Sequence, residues 1–192
     1  MIKFVIDTNF FVNLQRDLGL GENKEAVIES FISYASPLVS KEVAQFLTTP
    51  DALHELESFF DGTPQTLLPL RSVLTISSPN LTGLSFDATL FERLVAEIGT
   101  RLYKGLRAAE EYAKNPPLND GENPLRTLRD KYRRTTREGF LDSTTDFGLI
   151  MLSRERDASL VSSDAGLRTW ARLFGCTEML PEEFVKRLIS LR

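Results

Sequence analysis

The chain has 192 residues, 42% apolar and 26% charged, with a net charge of −4, which suits one well-buried core in an ordinary globular chain and is short for two. One cysteine, Cys176, excludes an intrachain disulfide and a cysteine-based zinc site. The single histidine, His54, has no nucleophile turn near it and reads as a helix-surface or half-buried residue. No apolar run reaches bilayer length, and MIKFVIDTNF reads as a strand start rather than a signal peptide, so the expected location is the cytoplasm, without a membrane.

In chain order, IKFVID (Ile2 to Asp7) is an apolar run ending in Asp and predicts a buried strand. Thr8 and Asn9 either cap the following helix, FFVNLQRD, or orient Asp7; Gly19 and Gly21 then break the helix. GENKEAVIESFISYA predicts an amphipathic helix with Ala26, Val27, Phe31 and Tyr34 on one stripe. SPLVS reads as β-favourable, KEVAQFL as a helix, and DALHELESFF as another helix after the interruption at Pro50. GTPQTLLPLRSVLTISSPN reads as loop plus a strand at VLTIS.

Residues 84–115 form a long helical pattern in which Phe91, Val95, Ile98, Leu102, Gly105, Ala109 and Tyr112 recur at three- and four-residue steps, as on a helix packed along a partner. PPLNDGEN is a turn by composition, and PLRTLRDKYRRTTREGF is a second helix with Pro124 in its first turn. Together they predict an antiparallel helical hairpin over residues 84–138. The last third alternates: DSTTDFGLIMLSRERD helix, ASLVSS strand, DAGLRTWARLFG helix, CTEML strand, PEEFVKRLISL helix. This order predicts an α/β fold, a parallel sheet flanked by helices, in one domain over 1–192 with the hairpin inserted into it.

Four aspartates stand where chemistry is expected. Asp7 ends the first strand and Asp164 follows SLVSS, and the carboxyl ends of parallel strands form the functional edge of such sheets. Asp142 and Asp146 share one face at the start of a helix. Singly, each is explained as a cap or turn residue. Together on one edge they would repel unless cations sat among them, and an oxygen-only cluster suits Mg²⁺ or Mn²⁺. Glu42 fits a fifth ligand or a solvated helix residue equally well. Ser162 and Ser163 either hold Asp164 or a metal-held water, or are plain turn serines.

The stretch from Arg126 to Arg137 holds six basic residues and one acid. Arg126, Arg129, Arg133 and Arg137 line one helix face, flanked by Lys131 and Arg134, and lead into the Asp142 region. Such a stripe can hold a nucleic-acid phosphate backbone locally even on an acidic protein. The apolar side of the hairpin, with Leu102, Tyr103 and Leu106, exceeds what one partner helix can cover and predicts homo-oligomerisation.

VIDTNFFVNL, SKEV and DFGLIMLSRERDASLVSSDAGL resemble the PIN-domain nuclease pattern: an Asp ending strand one, a Glu in an early helix, an Asp opening a later helix, and an Asp after the next strand. Nearly the whole chain is similar to one subgroup, the minimal protein-only RNase P proteins known as HARP, formerly "RNA ligase partner protein". The likeness includes Asp142 in FLDSTTDFGLIMLSRERDASLVSSD, the helical insertion and the basic run before it. The resemblance implies a PIN-like fold with a protruding helical hairpin. It implies a divalent-metal-dependent endoribonuclease that removes the 5′ leader of precursor tRNA without an RNA subunit, working as a large homo-oligomer. By motif position Asp7, Asp142, Asp146 and Asp164 would be its catalytic, metal-holding carboxylates, and Glu42 would match the PIN glutamate. Alternative readings are a PIN toxin-type RNase and a non-catalytic RNA-binding partner of an RNA ligase.

Overall fold

A computed structural model describes residues 1–14, 17–60, 67–115, 123–137, 139–141 and 143–192. Gln15 and Arg16 of the first expected helix, residues 61–66 of the expected loop, residues 116–122 of the expected turn, and Asp142 lie outside the described residues. The chain divides into two compact units: Met1–Leu84 with Ser143–Arg192, and Ser85–Asp142. The strands are β1 Ile2–Ile6, β2 Ala44–Thr48, β3 Leu74–Ile76, β4 Ser159–Val161 and β5 Glu178–Met179. The helices are α1 Asn9–Val12, α2 Lys24–Ser40, α3 Pro50–Ser58, α4 Leu67–Val73, α5 Ala88–Lys114, α6 Pro124–Arg137, α7 Thr144–Arg156, α8 Ala165–Leu173 and α9 Pro181–Ser190.

All five strands of the first unit pair in parallel, in the order β3-β2-β1-β4-β5. Parallel neighbours require crossovers, which α2 supplies between β1 and β2 and α8 between β4 and β5. The order reverses at β1, so the switch point lies between β1 and β4, the place where open α/β sheets open a crevice beyond their strand ends. Ile6 pairs with Val161, which sets Asp7 beside Ser162 at that point. On one face of the sheet Phe4, Ile6 and Phe46 join Phe10, Phe11, Phe31 and Phe184 in a core of mostly edge-to-face rings. Val5 and Leu47, one residue out of step, are also buried, and α7 packs along β1 with Leu149, Ile150, Met151 and Leu152 buried.

Four local expectations are corrected. KEVAQFL is not a helix: α2 ends at Ser40, Glu42 takes a left-handed φ of 54°, and Ala44–Thr48 is β2. A short run buried on both faces carries no period that separates strand from helix. SPLVS continues α2 rather than forming a strand. Pro37 removes one backbone donor there, but buried Phe31, Ala35 and Leu38 keep the turn helical and the Ser36 hydroxyl donates to the Ile32 carbonyl at 2.8 Å. Part of the expected loop is α4, with Pro69 in its first turn. The first helix is a single turn, closed at Asn13.

The second unit contains α5 and α6 packed together. A Cβ at Gly105 would lie 2.6 Å from the Tyr132 ring and 2.9 Å from the Thr136 methyl, so glycine permits the close approach. Lys131 pairs with Glu111 at 2.9 Å, Arg101 donates to the Thr136 carbonyl at 3.2 Å, and the Tyr112 hydroxyl donates to the Pro124 carbonyl at 2.7 Å. With 27 residues against 14, α5 outruns its partner. Gly105 and Ala108 are buried, whereas Phe91, Val95, Ile98, Leu102, Tyr103 and Leu106 are exposed in the single chain. The expected packing stripe is therefore covered only in its second half.

Candidate active site

Asp7 is set by β1. Its backbone N–H donates to the Val161 carbonyl at 3.1 Å, continuing the sheet by one rung, and its side chain is left at the switch point with 5% of the residue exposed. The fully buried Ser162 hydroxyl donates to Asp7 Oδ2 at 2.6 Å and accepts from the Asp164 backbone N–H at 2.9 Å. One hydroxyl therefore joins the ends of β1 and β4 and fixes the turn that carries Asp164. Asn9 Nδ2 donates to the same Asp7 oxygen at 3.2 Å. Asp164 is exposed and its Oδ1 accepts from the Leu167 N–H at 2.8 Å, so it caps α8 while standing on this edge. Ser163 accepts from Asn13 Nδ2 at 3.3 Å, a tie from α1 to the same turn.

Asp146 reaches the edge by another route. β4 starts level with Phe4, the middle of β1, and α7 runs back to that start from the other end of the sheet, so the start of α7 lies toward the carboxyl edge. Ser143 caps α7 by accepting from the Thr145 and Asp146 N–H groups, and half-buried Asp146 sits in the first turn, where the helix dipole favours an anion. Gly148, two residues on, lies against Thr49, with a Cβ position 3.6 Å from the Thr49 methyl. Thr49 caps α3, which leaves the carboxyl end of β2.

Glu42 is not brought to this edge. Ala44 pairs with Ile2, so Glu42 precedes the amino ends of the strands, and at about 3.3 Å per residue it is roughly 20 Å from the level of Asp7. A different glutamate, Glu55, exposed on α3, is near enough for its charge to make a small upward contribution to the Asp7 pKa, after burial as the main cause. Sequence reading missed Glu55, although Thr49-Pro50 is a helix-start pair and marks the residues before it as a strand end. The basic residues Arg126, Arg129, Arg133, Arg134 and Arg137 are exposed on α6 in the second unit, and Lys131 is half-buried in its pair with Glu111.

Burial raises Asp7 from 3.8 to about 6; hydrogen bonds from Ser162 and Asn9 oppose the rise, and Glu55 adds to it. Among the described residues, no Lys or Arg hydrogen-bonds or ion-pairs with Asp7 or Asp164. No three Asp, Glu, His or Cys groups among the described residues form a ready metal cage, a set that leaves out Asp142. The donor chemistry nonetheless fits a hard divalent cation: a buried carboxylate with neutral hydrogen-bond donors and a second anion acting on it, and further carboxylates on Asp146 and Asp164.

Residues 3–191 match the family described as PINc domain ribonuclease. The chain is 37% identical over 177 residues to an RNA-free ribonuclease P of Thermococcus kodakarensis, covering 91% of this chain and 87% of that one. It is 36% identical over 190 residues to an RNA-free ribonuclease P of Thermodesulfovibrio yellowstonii, covering 98% and 94%, and 34% identical over 195 aligned positions to that of Ignicoccus hospitalis, covering 98% and 95%. The chain belongs to the PIN-domain ribonuclease family and, within it, to the HARP-type RNA-free ribonuclease P group.

The raised pKa of Asp7 has a sign that can be tested without metal. The folded chain holds this proton more tightly than the unfolded chain, so ionising Asp7 costs stability. The cost is small below about pH 4, grows as pH rises toward about 6, and is complete above it. Asp7→Asn keeps an acceptor for Ser162 and removes the cost. In chelator-treated protein, the stability of Asp7→Asn relative to wild type should rise by about 2–3 kcal/mol between about pH 4 and pH 7.5 in urea unfolding. A difference independent of pH would show that Asp7 is not held neutral by burial.

Proposed function

We propose that this protein is a divalent-metal-dependent endoribonuclease that removes the 5′ leader of precursor tRNA without an RNA subunit, leaving a 5′-phosphate on the product. The observation that carries the reading is the Ser162 hydroxyl bridging Asp7 and Asp164 at the sheet's switch point, in a chain whose full-length relatives are named RNA-free ribonuclease P. PIN nuclease domains generally use divalent metals, and Mg²⁺ or Mn²⁺ suits an all-oxygen donor set. Asp7, Asp146 and Asp164, with Asp142 outside the described residues and Glu55 in place of Glu42, are the groups that would hold it.

A divalent cation supplies Lewis acidity, which makes water a nucleophile near neutral pH and offsets charge on the scissile phosphate. The protein's own part is positioning. Ser162 and Asn9 hold one oxygen of Asp7, so that carboxylate cannot rotate freely. Asp164 is held through its backbone N–H and its cap on α8. Burial of Asp7 keeps bulk water from competing for it.

The helix pair α5–α6, residues 84–138 with their connection, is read as an insertion into one PIN-like domain that spans residues 1–192. Its exposed arginines Arg126, Arg129 and Arg133 suit phosphate contacts that position an RNA without reading its sequence, consistent with recognition of tRNA by shape. Its exposed apolar residues suit contact with further copies of the chain.

Three outcomes follow. With Mg²⁺ or Mn²⁺ and a precursor tRNA, the wild type should make a single cut at the mature 5′ end, and Asp146→Asn should lose ~100-fold or more in cleavage rate while keeping its circular dichroism. Scattered cuts would indicate a general RNase, and no cut a binding partner only. Replacing Arg126, Arg129 and Arg133 by Ala should reduce the log–log salt slope of precursor binding by about 2 to 3, measured by filter binding; an unchanged slope would remove the RNA-facing role of α6. Light scattering should find an oligomer for the wild type and a smaller species for Leu102→Asp with Leu106→Asp; a wild-type monomer at micromolar concentration would contradict the assembly reading.

A further inference from the structure

Thr8 stands at the N-cap position of α1 but makes no side-chain cap bond there. Its buried hydroxyl donates instead to the carbonyl of Ala52, at 2.9 Å, on a helix 44 positions along the chain. Ala52 lies in the first turn of α3, and its N–H is in turn capped by the Thr49 hydroxyl at 3.2 Å. The Thr48 hydroxyl donates to the Ile6 carbonyl at 3.0 Å. Three buried threonines therefore stitch the end of β1 to the end of β2 and the start of α3, and Thr8 is the one that ties β1 directly to the helix. Glu55 lies three residues beyond Ala52, and Asp7 is the immediate neighbour of Thr8.

We propose that Thr8 is a positioning residue whose hydroxyl, donated to the Ala52 carbonyl, fixes the first turn of α3 against the end of β1 and so sets the spacing between the Asp7 and Glu55 carboxylates. The role differs from capping α1, because the hydroxyl is spent on another helix. A buried hydroxyl with one partner gives direction as well as attachment, whereas an apolar contact at the same place would leave α3 free to slide by tenths of an ångström. Shifts of that size matter between groups that share a cation, and outer-shell partners of metal ligands typically govern 10- to 100-fold in affinity. The inference rests on the metal-site reading above.

The test uses the full chain and Mn²⁺ alone, titrated by electron paramagnetic resonance, on the wild type, Thr8→Val, Thr8→Ser, Glu55→Gln and the Thr8→Val/Glu55→Gln double variant. Circular dichroism confirms that each is folded. Thr8→Val should weaken Mn²⁺ binding ~10-fold, Thr8→Ser should restore most of it, and the Thr8→Val effect should largely vanish when Glu55 is already Gln. Equal Mn²⁺ affinity in wild type and Thr8→Val, with only a lowered Tm, would overturn the positioning role and leave the metal site standing. The same loss with and without Glu55 would overturn the link to α3. No Mn²⁺ binding by the folded wild type would overturn both this inference and the reading beneath it.

Discussion

A carboxylate taken out of water must be compensated, and Asp7 is the place where this fold accepts that cost. Sheet pairing fixes it: the backbone of Asp7 is the last rung between β1 and β4, so the side chain cannot retreat to solvent without breaking that rung. Ser162 and the backbone and side chain of Asn9 donate to it, which is too little to offset its burial and keep it fully ionised at the pH of an ordinary aspartate. The remaining deficit is electrostatic. Either a proton or, on the proposed reading, a bound cation would offset it, and this ties stability and pH to one carboxylate.

The same constraint explains which parts of the site were legible in the sequence. Asp7 ends, and Asp164 follows, short apolar runs with β-branched residues bounded by turn residues, and such a strand end is visible without knowing what it pairs with. Asp146 was legible because Ser143 opens a helix whose later residues are apolar on all sides. Glu42 misled for a local reason: KEVAQFL, taken alone, fits helix and strand equally, and reading it as helix moved a glutamate to the wrong end of the sheet. The left-handed turn at Glu42 and the long-range pairing of Ala44 with Ile2 decide the matter, and neither is written in the residues nearby. Thr8 shows the opposite limit. Its residue type suits a helix cap, and only the fold reveals that its hydroxyl serves α3.

The second unit contains the two helices expected from the sequence, and Leu102, Tyr103 and Leu106 are exposed as the excess of apolar residues there predicts. Heptad-like spacing announces that a face will be covered, but says nothing about by what. Gly105 marks where α6 provides the cover; Phe91 and Val95 are exposed a turn or more before that contact, whereas Leu102, Tyr103 and Leu106 flank it and are exposed on sides of α5 that α6 does not cover. Length and pattern both contribute: α5, about twice as long as its partner, leaves its first turns uncovered, and around Gly105 it carries apolar residues on more than the one face that α6 meets.

Charge is divided along the chain in a way that bears on an acidic protein acting on a polyanion. Residues 85–142 carry 11 basic and 10 acidic side chains, so the excess of negative charge, −5, resides in the sheet-bearing unit. On the proposed reading, α6 attracts RNA with cations of its own, while the edge around Asp7 repels it until external cations are bound. Attraction by arginine is present at all times; attraction at the carboxylate edge is conditional on the metal. Linkage then runs both ways: a phosphate brought to that edge adds oxygen ligands and negative charge, so RNA tightens metal binding by the same factor as metal tightens RNA binding. Such an edge holds the scissile phosphate only together with the ion that activates its cleavage, which separates holding an RNA from cutting it without any moving part.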